Sequence, residues 1–141
     1  GLSRVAAFDG LPGRTRALDI APDGRVLALA TLDGDIALHD ARDLRPLASL
    51  GSIGGPVTAL RFSPDGRRLA ASGRDGLVRL FDVDGRREVA RLSHATDAVL
   101  CLDWSDDGEL LVAGSGEWDA PGVVALWRAP RDLSLRRSSG R

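Results

Sequence analysis

Three segments of this chain close on Asp-Gly at a constant interval. ALDIAPDG ends at Gly24, ALRFSPDG at Gly66 and CLDWSDDG at Gly108, so both steps are 42 residues. Internal periodicity of this length constrains a fold more than composition does, because each repeat is one unit that buries its apolar face only against a neighbouring repeat. A short apolar run follows each Asp-Gly: Val26–Ala30, Leu69–Ala71 and Leu110–Ala113. A second run follows as DIALHD from Asp35, LVRLFD from Leu77 and VVALWR from Val123. A third is PLASL from Pro46, EVARL from Glu88 and, more weakly, LSLRR from Leu133.

These runs predict strands. They are short, rich in Val, Leu, Ile and aromatics, and Gly or Pro interrupts every window long enough for an amphipathic helix. Pro22 and Pro64 pre-set φ for a turn, and the Gly after each Asp accepts the left-handed conformation that closes it. Asp33-Gly34 and Asp75-Gly76 mark a second hairpin in the first two repeats. The expectation is an all-β chain in which each repeat folds as four short antiparallel strands.

At this point the pattern FSPDG followed by LAASGRDGLVRLFD resembles the WD40 repeat, the four-stranded blade of a β-propeller. The resemblance spans roughly residues 15–137 and is best from Val57 to Leu92. The family's closing Trp-Asp pair stands as His39-Asp40, Phe81-Asp82 and Trp127-Arg128, so no repeat carries it intact. The resemblance implies blades over 15–56, 57–98 and 99–137, a preceding outer strand and connection in 1–14, and a polar tail in 138–141. RVAAFDGLPG aligns with EVARLSHATD and so reads as the outer strand of a blade before the first. The family's structural tetrad of His, Ser or Thr, Asp and Trp maps here onto Asp33, Asp75, His94, Asp119 and Trp127, with no assigned Ser or Thr and no leading His in the first two repeats.

Composition narrows the function. Nineteen basic residues, all Arg, face 20 acidic ones for a net charge of −1. That balance argues against a nucleic-acid binder or a polybasic membrane anchor, which need clustered positive charge. A single Cys rules out an internal disulfide framework, and no apolar run approaches bilayer length. Lys, Asn, Gln, Tyr and Met are absent, a bias resembling that of a GC-rich bacterial genome. The absent Met and the odd opening strand lead to the expectation of a fragment of a larger propeller or of copies that close a ring together, since three blades fall short of the usual 4–8. Cytoplasmic location is the default without a signal sequence.

No catalytic, metal-binding or cofactor-binding constellation emerges. His39 and Cys101 sit at packed strand positions, and Asp82-Val83-Asp84-Gly85 with Glu88 reads as a turn before a strand rather than a calcium loop. Gly114-Ser115-Gly116 matches neither a phosphate loop nor a nucleophile elbow. One feature departs from its siblings: the second hairpin of the last repeat is four residues longer and carries Glu117, Trp118 and Asp119. In WD40 propellers this loop and the connection before each first strand face the usual binding surface. The resemblance therefore implies a non-enzymatic scaffold that contacts a protein partner through Arg16, Leu32, Arg74, His94, Glu117, Trp118 and Asp119. The competing reading is an enzyme or small-ligand binder built on the inner-strand charges Asp19, Arg61 and Asp103, spaced at the repeat interval.

Overall fold

The computed structural model describes residues 1–4, 7, 13–94 and 97–128. Eleven strands run in chain order: β1 (Thr15–Ile20), β2 (Val26–Thr31), β3 (Asp35–Asp40), β4 (Pro46–Ser52), β5 (Val57–Phe62), β6 (Arg68–Gly73), β7 (Leu77–Asp82), β8 (Arg87–Ser93), β9 (Val99–Trp104), β10 (Leu110–Ser115) and β11 (Val123–Arg128). They form three antiparallel meanders, β1-β2-β3-β4, β5-β6-β7-β8 and β9-β10-β11, and no described residue is helical. We call these sheets blades 1, 2 and 3. The strand expected at Leu133–Arg137 and the tail at 138–141 lie outside the described residues, as does most of the segment 4–13 read as an earlier outer strand.

The Asp-Gly turns fold alike because the same short-range bonds form in each. Gly24, Gly66 and Gly108 have φ of 73°, 71° and 71°, a region that L side chains avoid. Their N–H groups donate to the carbonyls of Ala21, Ser63 and Ser105 at 2.8 Å. The turn carboxylates of Asp23, Asp65 and Asp107 accept the N–H two residues ahead. In blades 2 and 3 a Ser hydroxyl also donates to the turn Asp, Ser63 to Asp65 at 2.7 Å and Ser105 to Asp107 at 2.6 Å.

The blades pack face to face, with β1, β5 and β9 side by side as the innermost strands. Side chains alternate across a strand, so blade 2 buries both of its faces. Leu60, Phe62, Leu69, Ala71 and Phe81 meet Ala28, Ala30, Ile36 and Leu38 of blade 1. Ala70 and Val78 face the other way, onto Val99, Leu102, Leu111 and Ala113 of blade 3. Each large side chain so buried contributes about 1.5–3 kcal/mol relative to exposure. The alanines at 28, 30, 70 and 71 are fully buried and let neighbouring sheets approach closely.

A shared irregularity marks the three inner strands. Pairing shifts register between Thr15 and Ala17, between Val57 and Ala59, and at β9 between Val99 and Cys101. Each shift leaves one unpaired residue, and Arg16, Thr58 and Leu100 stand at the 42-residue interval. Such a bulge twists the strand and re-aims the extra side chain. Only Thr58 uses this to bond across blades: its hydroxyl pairs with Ser72 Oγ at 2.8 Å and donates to the Val99 carbonyl of blade 3.

Candidate functional site

The β2–β3 and β6–β7 turns and the connections leading into each inner strand meet on one rim. Leu32 N–H donates to the Arg14 carbonyl at 2.8 Å, which ties the first of these turns to the entry of β1. Ile53 N–H donates to Gly34 O at 3.0 Å, and His94 N–H donates to Gly76 O at 3.1 Å. The rim thus places Arg16, Leu32, Arg74 and His94 on neighbouring loops, with the β10–β11 loop of blade 3 beyond them. Arg16, Leu32 and Arg74 are exposed. Ile53, Gly54, Gly55, Pro56, Arg74 and Asp75 line a depression of about 290 Å³.

Trp118 sits at the tip of the long β10–β11 loop and is fully exposed, with Glu117 and Asp119 exposed beside it. The loop holds a turn in which Ala120 N–H donates to Glu117 O at 3.4 Å. An indole held wholly in solvent does not cover the edge of its own blade.

The residues matched to the tetrad have separate environments. His94 lies edge-on to Trp127 with ring centroids 5.7 Å apart and planes at 68°. Both ring nitrogens of His94 are buried without a hydrogen-bond partner among the described residues, so neither is held by Asp119. Asp75 is occupied within its own blade, accepting from Arg79 at 2.6 and 3.3 Å and from Leu77 N–H at 3.2 Å. Burial pushes the Asp75 carboxyl up, but the Arg79 fork and the Leu77 N–H outweigh it and hold the group below the usual carboxylate range. Asp33 is exposed in the equivalent turn of blade 1. His39 is buried and its Nδ1 lies 2.9 Å from the Leu44 carbonyl, whereas Cys101, read with it as a packed position, is exposed because its face of blade 3 meets no further blade among the described residues.

The ends of the third strands carry paired charges. Asp40 is 3.6 Å from both Arg42 and Arg45, and Arg68 reaches Asp82 at 2.5 Å. Blade 3 inverts the signs: where the Asp would stand, Arg128 reaches Glu109 at 3.2 Å.

The inner-strand charges face the blade seams. Asp19 Oδ2 accepts the Phe62 N–H of blade 2 at 2.7 Å, and Arg61 approaches the same carboxylate at 3.8 Å. Asp103 accepts the N–H of Trp104 at 2.9 Å, while the Trp104 indole donates to Arg61 O at 3.2 Å. Sequence reasoning missed the Thr58 bridge, because Arg16 and Leu100 at the equivalent positions share no chemistry with a hydroxyl. Among the described residues no three His, Cys, Asp or Glu side chains gather as a metal site, and no helix is long and apolar enough to cross a membrane.

Residues 49–107 match the family model described as the anaphase-promoting complex subunit 4 WD40 domain. The fold is similar to a solved structure titled as that of the computationally designed Ika4 protein, with TM-score 0.73 and 20% sequence identity, over 91% of this chain and 74% of that one. No curated protein matches the sequence. In all, 1041 solved chains match, so the architecture alone selects no function. The 42-residue repeat and the meander topology of each sheet give the chain the architecture of β-propeller blades, and residues 49–107 of it are similar to a WD40 domain.

Proposed function

We propose that the chain is a non-enzymatic scaffold that binds a protein partner through its rim, acting in the cytoplasm as part of a larger bacterial regulatory protein. WD40 domains are in general interaction modules, and rigid strands that fix short exposed loops suit that task. The contact set is Arg16, Leu32, Arg74, His94, Glu117, Trp118 and Asp119. The observation that carries the reading is Trp118: a large amphipathic ring held fully in solvent on a loop longer than its siblings. Trp is enriched among residues that dominate interface energies, and an exposed one has the most area to bury on binding. Asp19 and Arg61, the charges the enzymatic reading relies on, are engaged with each other and with a backbone N–H across a seam, which favours a structural role for them.

The test is a comparison of wild type and Trp118→Ala, first in capture of partners from extract and then by titration with the purified partner. The expected loss is about 2 kcal/mol or more, roughly thirtyfold in Kd. A change within about 0.5 kcal/mol would remove Trp118 from the contact set, since hot-spot truncations cost several times that.

A further inference from the structure

We propose that the open face of blade 3 seats a further WD40-type blade bearing an Arg or Lys on its innermost strand at the place of Arg61, and that its charge disfavours blade 1 of a second copy. This rests on the blade seams and is independent of the rim.

Blade 3 repeats, residue by residue, the faces that already receive a neighbour. Cys101, Asp103, Val112, Gly114, Val124 and Leu126 occupy the register positions of Ala59, Arg61, Ala70, Ser72, Val78 and Leu80 in blade 2. The equivalent surface of blade 1, which includes Ala28, Ala30, Ile36 and Leu38, is buried under blade 2. Ala70 and Val78 are likewise fully buried under blade 3. On blade 3 no described residue covers the same face, with Val124 75% and Leu126 62% exposed. The occupant that fits is therefore one presenting the surface that blades 2 and 3 themselves present: another blade.

Apolar matching alone would admit a second copy. Leu18 and Ile20 of blade 1 stand where Leu60 and Phe62 of blade 2 insert against blade 1, and both are exposed. Charge decides otherwise. At the first seam, Asp19 of one blade meets a backbone N–H and the guanidinium of Arg61 on the next. Asp103 repeats the carboxylate two seams further on, on the strand that borders the open face. A second copy would bring Asp19 to the register place of Arg61, adding a second carboxylate at the seam and no cation, whereas a cationic blade would restore the pair.

Molar mass in solution, followed by light scattering on the full chain over a wide concentration range, tests this with second copies as the probe. Asp19→Arg gives blade 1 a cation, and Asp103→Arg leaves the Asp19–Phe62 bond intact while placing a cation on the other side. Each single variant is expected to self-associate about tenfold or more tightly than wild type, with the gain lost as salt screens it. The double variant sets Arg against Arg and is expected to return to wild-type weakness. Wild type associating as tightly as both single variants, or a double variant as tight as the singles, overturns the proposal. Should Asp19→Arg unfold, Asp103→Arg and the salt dependence carry the same decision.

Discussion

The Asp19 carboxylate accepts the backbone N–H of Phe62 at 2.7 Å, so one side chain of blade 1 closes the backbone of blade 2. The Asp19 side chain is only 21% exposed, while Arg61, its ionic neighbour at 3.8 Å, is 49% exposed. The hydrogen bond therefore outweighs the ion pair, because exposed charge pairs contribute only about 0–1 kcal/mol.

Asp19→Ala leaves the Phe62 N–H without its acceptor and is expected to cost about 1.5–3 kcal/mol, the range for hydrogen bonds to charged groups. Asp19→Asn keeps an acceptor oxygen and is expected to lose less than half of that. Urea denaturation with unchanged m-value separates the two. Equal losses in both variants would assign the effect to charge instead.

The connection between blades 1 and 2 depends on the absence of a side chain. Gly34 has φ of 104°, and a Cβ built there would lie 2.6 Å from Gly55 O and 2.8 Å from Gly55 N. Those atoms belong to the blade 1–2 connection, which Ile53 N–H also pins to Gly34 O. Gly34→Ala must move backbone as well as adopt a disfavoured φ, so a loss of about 3 kcal/mol or more is expected. Gly24, at φ of 73° with open space around it, sets the comparison: Gly24→Ala is expected to cost about 1–2 kcal/mol. Similar melting points for the two variants would contradict the close approach.

The repeat and its turns were legible because they are local. Asp-Gly with a preceding Pro or Asp dictates a turn whatever surrounds it, and the runs between turns are too short for helices. His39 was likewise readable as packed, since it fills the slot of Phe81 and Trp127. The bulges were not legible: Arg16, Thr58 and Leu100 have no residue type in common, and a register shift arises from how two strands pair. Loop length picked out Trp118, but whether its ring lay over the blade or in solvent depends on tertiary placement. His94 and Trp127, both named in the tetrad match, lie edge-on to each other, but the match carried no information on whether the His94 nitrogens find partners.

Acid should loosen the second blade at Asp75. Its folded-state pKa is depressed, so the stabilisation is present above the unfolded carboxylate range near pH 4 and lost as pH falls through the lower folded value. Protonation would leave Arg79, whose side chain is only 6% exposed, without its ionic partner. The denaturation midpoint of wild type is expected to fall steeply below about pH 4, and that of Asp75→Asn less steeply, starting from a lower plateau. Parallel pH profiles for the two proteins would show that Asp75 does not contribute. Asp65 shifts in the same direction, burial opposing and the Ser63 hydroxyl and Arg67 N–H prevailing, so some acid sensitivity persists in the variant.

Thr58 joins blade 2 to blade 3 through one hydroxyl. It donates to the Val99 carbonyl and shares a bond of 2.8 Å with Ser72, which is fully buried. Thr58→Val preserves shape but leaves the Ser72 hydroxyl and the Val99 carbonyl short of a partner, so a loss of about 1–3 kcal/mol is expected. Thr58→Ser keeps the hydroxyl and is expected to stay within about 1 kcal/mol of wild type. Location separates this from general destabilisation. Because the bond spans one seam only, hydrogen exchange in Thr58→Val should quicken in β9 and β10 while the amides of β2 and β3 keep their protection. Uniform acceleration across all three blades would mean that the seams open together and that Thr58 does not hold blade 3 in particular.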